Sequence, residues 1–224
     1  MTVQEILEGY AKKLFTKLDK YLISPVSIKN MYIAGGCIRS VIEQESPKDI
    51  DIFFKKDVNV DEVKKFFKLY HPESFITENA ISLNIDGIQY QLITTCTGNP
   101  LDIINEFDFT MNMNFYDFET KHLFIQDKMA IFNKHLKINL KCRNKLGTLA
   151  RIVKFTERGY KIPTQLNLIE LGVQLTRQKP VDSFPELQDS SKLFFSRSNY
   201  DSLSVVSTSE SYDKVFRNYK GSAV

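Results

Sequence analysis

Residues 32–54 read YIAGGCIRSVIEQESPKDIDIFF: an apolar run that stops at Gly35-Gly36, a stretch with helical character, then Asp49-Ile50-Asp51 at the head of a second apolar run. Two glycines between a strand and a helix let the backbone approach a ligand closely, and the first N–H groups of the helix then face an anion such as a phosphate. Residues two apart on a strand point to the same face, so Asp49 and Asp51 present their carboxylates together and can share a divalent cation through oxygen ligands. Either feature alone is ordinary; a lone Gly-Gly marks a turn and a lone Asp-x-Asp a solvated strand edge. In this order they suit a nucleoside triphosphate, whose phosphates need the cradle and whose leaving pyrophosphate needs the metal.

Around this stretch the periodicity predicts an alternation of helices and strands. Ile6, Leu7, Tyr10, Leu14, Phe15 and Leu18 recur at helical spacing within residues 3–21, and Val63, Phe66, Phe67 and Tyr70 do so within residues 61–70. Short strands are predicted in SFITENAISLNIDGIQYQLITT (residues 74–95), where Asp86-Gly87 is a two-residue hairpin signal. A brief helix follows Pro100, residues 109–116 alternate like a strand, residues 144–159 form an amphipathic helix that stops at a glycine, and residues 163–178 supply a last helix. The expected fold class is α/β (α+β), a mixed, mainly antiparallel sheet with helices on one face. Residues 1–142 would form the head domain, 143–178 a short helical neck, and 179–224 a serine-rich, flexible tail.

The charge balance, 30 Lys+Arg against 27 Asp+Glu, permits a phosphate-rich ligand without demanding one. Cys37, Cys96 and Cys142 are far apart and show neither a disulfide framework nor zinc-ligand spacing. The first residues mix charge with apolar spacing, unlike a signal peptide or membrane helix, so a cytoplasmic protein with no membrane partner is expected.

The pattern Gly35, Gly36, Arg39, Ser40, then Lys48-Asp49-Ile50-Asp51 resembles the nucleotidyltransferase superfamily, and within it the head domain of CCA-adding tRNA nucleotidyltransferases and poly(A) polymerases. The segment FDFTMNMNFYD (residues 107–117) is similar to that family's RRDFTINA motif, with Asp108, Phe109, Thr110 and Asn112 in register. Arg151, in LARIVKFTERGYKIP, matches a recurrent arginine on the helix after the head. The resemblance implies a nucleotidyltransferase (polymerase β-like) fold that moves a nucleoside monophosphate from an NTP to an acceptor hydroxyl and releases pyrophosphate. It also implies Mg²⁺ or Mn²⁺ on Asp49 and Asp51, a catalytic contribution from Asp108, and nucleotide contacts from Gly35, Gly36, Arg39, Ser40, Lys48, Asn112 and Arg151. An RNA 3′ end, such as that of tRNA, is the implied acceptor; a protein hydroxyl, as in toxin-like or regulatory members, is the alternative.

Three departures from the family pattern bear on activity. Ser40 stands where an aspartate is usual, and Glu106-Phe107 replace an arginine pair. On the strand IQYQLI, where a third carboxylate is expected, Gln89 and Gln91 occur instead, so two carboxylates suffice or Asp108 or Asp86 supplies the third. Lys48, Lys55, Lys56 and Arg39 are candidates to line a phosphate path. No base-reading motif of the CCA enzymes stands out, and the chain after residue 178 is expected to be too short for a tRNA-measuring body. A non-catalytic member of the fold that binds nucleotide or RNA is the rival reading.

Overall fold

In the computed structural model, residues 1–18 and 27–176 are described; the predicted tail and the ends of the first and last predicted helices lie outside them. Seven strands form one sheet in the order β3-β4-β5-β2-β1-β6-β7. The strands are β1 (Met31–Ala34), β2 (Asp49–Phe54), β3 (Phe75–Ile76), β4 (Ala80–Ile85), β5 (Ile88–Thr97), β6 (Asn114–Asp117) and β7 (Leu123–Ile125). Only the central β2–β5 pair is parallel; the others are antiparallel. The expected mixed, mainly antiparallel α/β fold is therefore present.

Side-chain alternation sorts the two faces of the sheet. Met31, Ile33, Ile50, Ile52, Phe54, Tyr90 and Leu92 point to the main core, which is closed by helices α1 (Val3–Leu18), α2 (Gly36–Ile42) and α3 (Val60–Tyr70) through Leu7, Leu14, Ile38 and Phe67. The intervening residues Tyr32, Ala34 and Phe53 belong to a smaller cluster on the opposite face, where Ile103 and Ile104 of the short helix α4 (Pro100–Ile104) cover part of the sheet. Asp49 and Asp51 fall in the same alternation as Phe53, so they lie on this second face, beyond the area that α4 covers.

The Asp86-Gly87 hairpin signal acts as expected, and side-chain caps start four of the helices. Asp86 and Gly87 both adopt positive φ, 52° and 80°, and join β4 to β5 with Ile85 opposite Ile88. Asn59, Asn99, Asp127 and Asn144 cap α3, α4, α5 (Lys128–Phe132) and α6 (Lys145–Glu157) by accepting from first-turn N–H groups. The predicted strand over residues 109–116 begins only at Asn114. Residues Thr110–Asn112 instead form a 3-10 turn, closed by the Asn114 side-chain amide, which donates to the Met111 carbonyl at 2.6 Å. β7 and α5 were not foreseen; both are short, and β7 is an edge strand without strong alternation.

The described chain divides into a compact unit, Met1–Leu171, and a second that begins at Gly172. Helix α7 (Gln165–Thr176) ends the described part. Among the described residues no helix is long and apolar enough to cross a membrane.

Candidate active site

The β1–α2 turn sets the position of the site. Gly35 has φ 89° and ψ −143°, a region open essentially to glycine alone, and α2 starts without any side-chain cap. The first turn of α2 therefore receives no side-chain cap, in contrast to the Asn- and Asp-capped helices α3 to α6. A Cβ on Gly35 would stand 4.0 Å from Asp51 Oδ2 and 3.4 Å from the Phe107 ring, so the glycine turn, the second aspartate and Phe107 converge. Gly35→Ala combines a strained backbone with that contact. We expect it to destabilise the chain by about 1–3 kcal/mol, read as a lower urea midpoint at unchanged m-value.

Asp49 and Asp51 both keep partial solvent exposure. Burial pushes the Asp51 carboxyl up to about 7, and the Asp49 charge pushes the same way. Two carboxylates held together at the end of a parallel strand pair are electrostatically incomplete, and a divalent cation would relieve both effects. Mg²⁺ commonly binds through one or two carboxylates, retained waters and substrate phosphates, and the Asp49/Asp51 pair fits that requirement. Among the described residues no group of three or more His, Cys, Asp and Glu is placed to hold a metal ion.

The other expected site residues divide into those at the turn and those elsewhere. Asn112 is at the turn: its Oδ1 lies 4.0 Å from the position of a Cβ on Gly36 and is buried with no hydrogen-bond partner among the described residues. Lys48 is exposed beside Asp49. Asp108 does not join the aspartate pair; it is 8% exposed, and its Oδ2 accepts from Arg151 Nη1 at 2.8 Å. The expected catalytic carboxylate and the expected nucleotide-binding arginine, midway along α6, thus pair with each other.

Arg39 and Ser40 lie behind the glycines. Arg39 is 6% exposed, its guanidinium stacks over Phe155 at 5.0 Å and Tyr160 at 5.5 Å, and its Nε is 3.4 Å from a Glu43 carboxylate oxygen. Its Nη2 donates to Ser40 Oγ at 3.2 Å, so these two residues tie α2 to α6 and to the chain that follows it. Nη2 is also 4.0 Å from where a Cβ on Gly36 would be, close under the turn without entering it. Lys55 is drawn away from any phosphate path by Asp117 at 3.0 Å and Glu119 at 2.7 Å. Asp86 is at the hairpin tip, paired with Lys13 at 2.8 Å, and supplies no third carboxylate.

Sequence reasoning missed Lys154. It follows Arg151 by three positions and precedes Arg158 by four, so all three basic residues share one side of α6. Burial lowers its ammonium's affinity for a proton, as do the charges of Arg158, Lys48 and Arg151, while Asp49 opposes them. Lys154 therefore feels the Asp49 charge and those of a basic group together. The i, i+3, i+7 spacing was visible in the sequence, but only the fold brings Lys154 within electrostatic reach of Asp49.

A model of the Gabija anti-defense 2 family protein matches residues 3–136. The chain belongs to this family. A curated relative, Gabija anti-defense 2 of Bacillus phage SPbetaL7, is 23% identical over 189 residues, which cover 79% of this chain and 45% of that protein. The chain thus spans less than half the length of the relative. Among solved structures, a CCA-adding enzyme in complex with CTP aligns at a TM-score of 0.50 and 16% identity, covering 66% of this chain and 39% of that one. The Thermotoga maritima CCA-adding enzyme complexed with tRNA aligns at a TM-score of 0.49 and 16% identity, covering 85% and 53%. The family member described here has a nucleotidyltransferase-like fold.

Proposed function

We propose that this chain is a divalent-cation-dependent nucleotidyltransferase whose activity counters the defence for which its family is named. The observation that carries the reading is the convergence of the uncapped Gly35-Gly36 turn with Asp51 on an open sheet face, Asp49 being two residues away on the same strand. In this reading Asp49 and Asp51 hold Mg²⁺ or Mn²⁺ with an NTP, and the first-turn amides of α2 receive phosphate oxygens. When bound, the cation neutralises charge on the triphosphate and on the leaving pyrophosphate. Asn112 Oδ1 accepts from the nucleotide's sugar or base. Lys48, Lys154 and the Asp108-positioned Arg151 form the basic wall along which the polyphosphate or the acceptor is aligned. The acceptor oxygen attacks the α-phosphorus, the bond to the β-phosphate oxygen breaks, pyrophosphate leaves, and the hydroxyl proton passes to solvent.

The family's anti-defense description favours an acceptor hydroxyl within the defence machinery itself, a protein side chain, over a housekeeping RNA. The second reading, transfer to an RNA 3′ end such as that of tRNA, is favoured by the Arg151, Lys154 and Arg158 side of α6 and by the notional kinship with CTP-binding enzymes. The test incubates the chain with Mg²⁺ and each α-labelled NTP in turn, with total tRNA in one arm and Gabija-bearing cell extract in the other, beside Asp49→Ala/Asp51→Ala. Label in protein that depends on both aspartates is the expected result. Label in RNA replaces the first reading with the second. Absence of label with every NTP, with nucleotide binding retained, returns the chain to a non-catalytic nucleotide-binding role.

A further inference from the structure

Strands β2 and β5 run parallel, with Asp49 opposite Gln89 and Asp51 opposite Gln91, so both glutamines rise from the same face of the sheet as the aspartates. Adjacent strands are about 4.8 Å apart, which makes Gln91 the immediate neighbour of Asp51. On its other side Gln91 faces Ser82 of β4. Gln91 is 5% exposed, and its Nε2 has no hydrogen-bond partner among the described residues. An unpaired buried amide donor is a cost in the free protein, and it is removed if a ligand oxygen accepts from it.

A second cation sitting between Asp51 and β5 would be held best by a further carboxylate from that strand. Gln91 offers a neutral side chain whose unpartnered end is an N–H₂ group, which repels a cation and attracts an anion. Among the described residues no third carboxylate joins the pair; Asp108 is committed to Arg151 and Asp86 to Lys13. Paired catalytic ions lie about 3.5–4 Å apart, and each further carboxylate offsets more of their mutual repulsion. Here the carboxylates come from one strand only.

Building on the reading of Asp49 and Asp51 as a metal–nucleotide site, we propose that the site takes a single divalent cation per nucleotide. Gln91 then donates to an oxygen of the bound nucleotide in the place where a second cation would otherwise sit. Gln91 is thus a ligand-binding residue that sets the metal stoichiometry.

The test titrates Mn²⁺ into the full chain with the α,β-methylene analogue of ATP, and separately with those of CTP, GTP and UTP, counting bound Mn²⁺ by electron paramagnetic resonance. One Mn²⁺ per chain is expected with the analogue that binds, rising to two in Gln91→Glu. Two in the unaltered chain, or one in a folded Gln91→Glu, overturns the proposal. Should Gln91→Glu fail to fold, Gln91→Leu decides: it removes the donor and should weaken analogue binding roughly tenfold while keeping one Mn²⁺. Unchanged analogue affinity in Gln91→Leu overturns the proposal as well. Absence of analogue-dependent Mn²⁺ binding in the unaltered chain, or its survival in Asp49→Ala/Asp51→Ala, would sink the metal–nucleotide reading itself, and this inference with it.

Discussion

Asp51→Asn is expected to abolish nucleotidyl transfer, by at least about a thousandfold, and at the same time to stabilise the metal-free protein at pH 8. The two effects share one cause. Folding places the Asp51 carboxyl against Asp49 and in a poorly solvated position, which raises it to about 7 from an ordinary value near 3.8. A carboxyl raised in the folded state binds its proton more tightly there than in the unfolded chain, so stability is highest at low pH. It is lost as pH rises from about 4 through about 7. At pH 8 the ionised Asp51 therefore costs on the order of a few kcal/mol, which the neutral amide avoids. Urea denaturation in the presence of a chelator should show the variant ahead at pH 8 and level with the unaltered protein near pH 4. Saturating Mg²⁺ and nucleotide should reverse the order, because only the unaltered chain gains their binding energy. Equal stability at both pH values would mean that Asp51 is well solvated and that the pair is an ordinary strand end.

Arg39→Ala is expected to lose about 3 kcal/mol or more of stability, the largest single-site loss outside the apolar core. The guanidinium is sandwiched against Phe155 and Tyr160, and Glu43, whose side chain is 8% exposed, depends on it for countercharge. The Tyr160 hydroxyl also donates to Glu43, at 2.5 Å and 2.6 Å to its two oxygens, so deleting Arg39 leaves a buried carboxylate held by one phenol. Arg39→Lys keeps the charge but not the planar stacking, and should recover only part of the loss. The measurement is the urea midpoint of each variant alongside Glu43→Gln and the double variant, since a coupling free energy isolates the pair. A variant that unfolds normally yet loses nucleotide binding would instead make Arg39 a phosphate ligand, as the sequence pattern suggests.

The membership of an anti-defense family changes what the nucleotidyltransferase-like fold is expected to act on, not how its site is assembled. The Gly35-Gly36 turn and the Asp49/Asp51 strand do not depend on acceptor identity. In the proposed reading acceptor alignment falls to Arg151, Lys154 and Arg158, which lie beyond the family match at residues 3–136.

Much of the site's frame was legible from residues 32–54, and the Asp86-Gly87 hairpin from its own dipeptide, because these signals are local. A glycine pair between strand and helix, an Asp-x-Asp alternation and an Asp-Gly hairpin each depend on the conformation of a few neighbouring residues. The fate of individual polar side chains was not legible, since it depends on which distant segment packs against them. Arg39 reads from the sequence as a nucleotide contact, and the fold packs it under Phe155 of α6 and Tyr160 beyond it; Asp108 reads as a catalytic carboxylate, and α6 supplies Arg151 as its partner. Conversely, Lys154 comes within electrostatic reach of Asp49, and Gln91 becomes the neighbour of Asp51, only because the fold brings together elements far apart in the chain. The sequence by itself determined the backbone conformations and the face on which the aspartates stand. The tertiary structure decided which charges are spent on one another and which remain for a ligand, because pairing across helices and strands is set by distance in space and not along the chain.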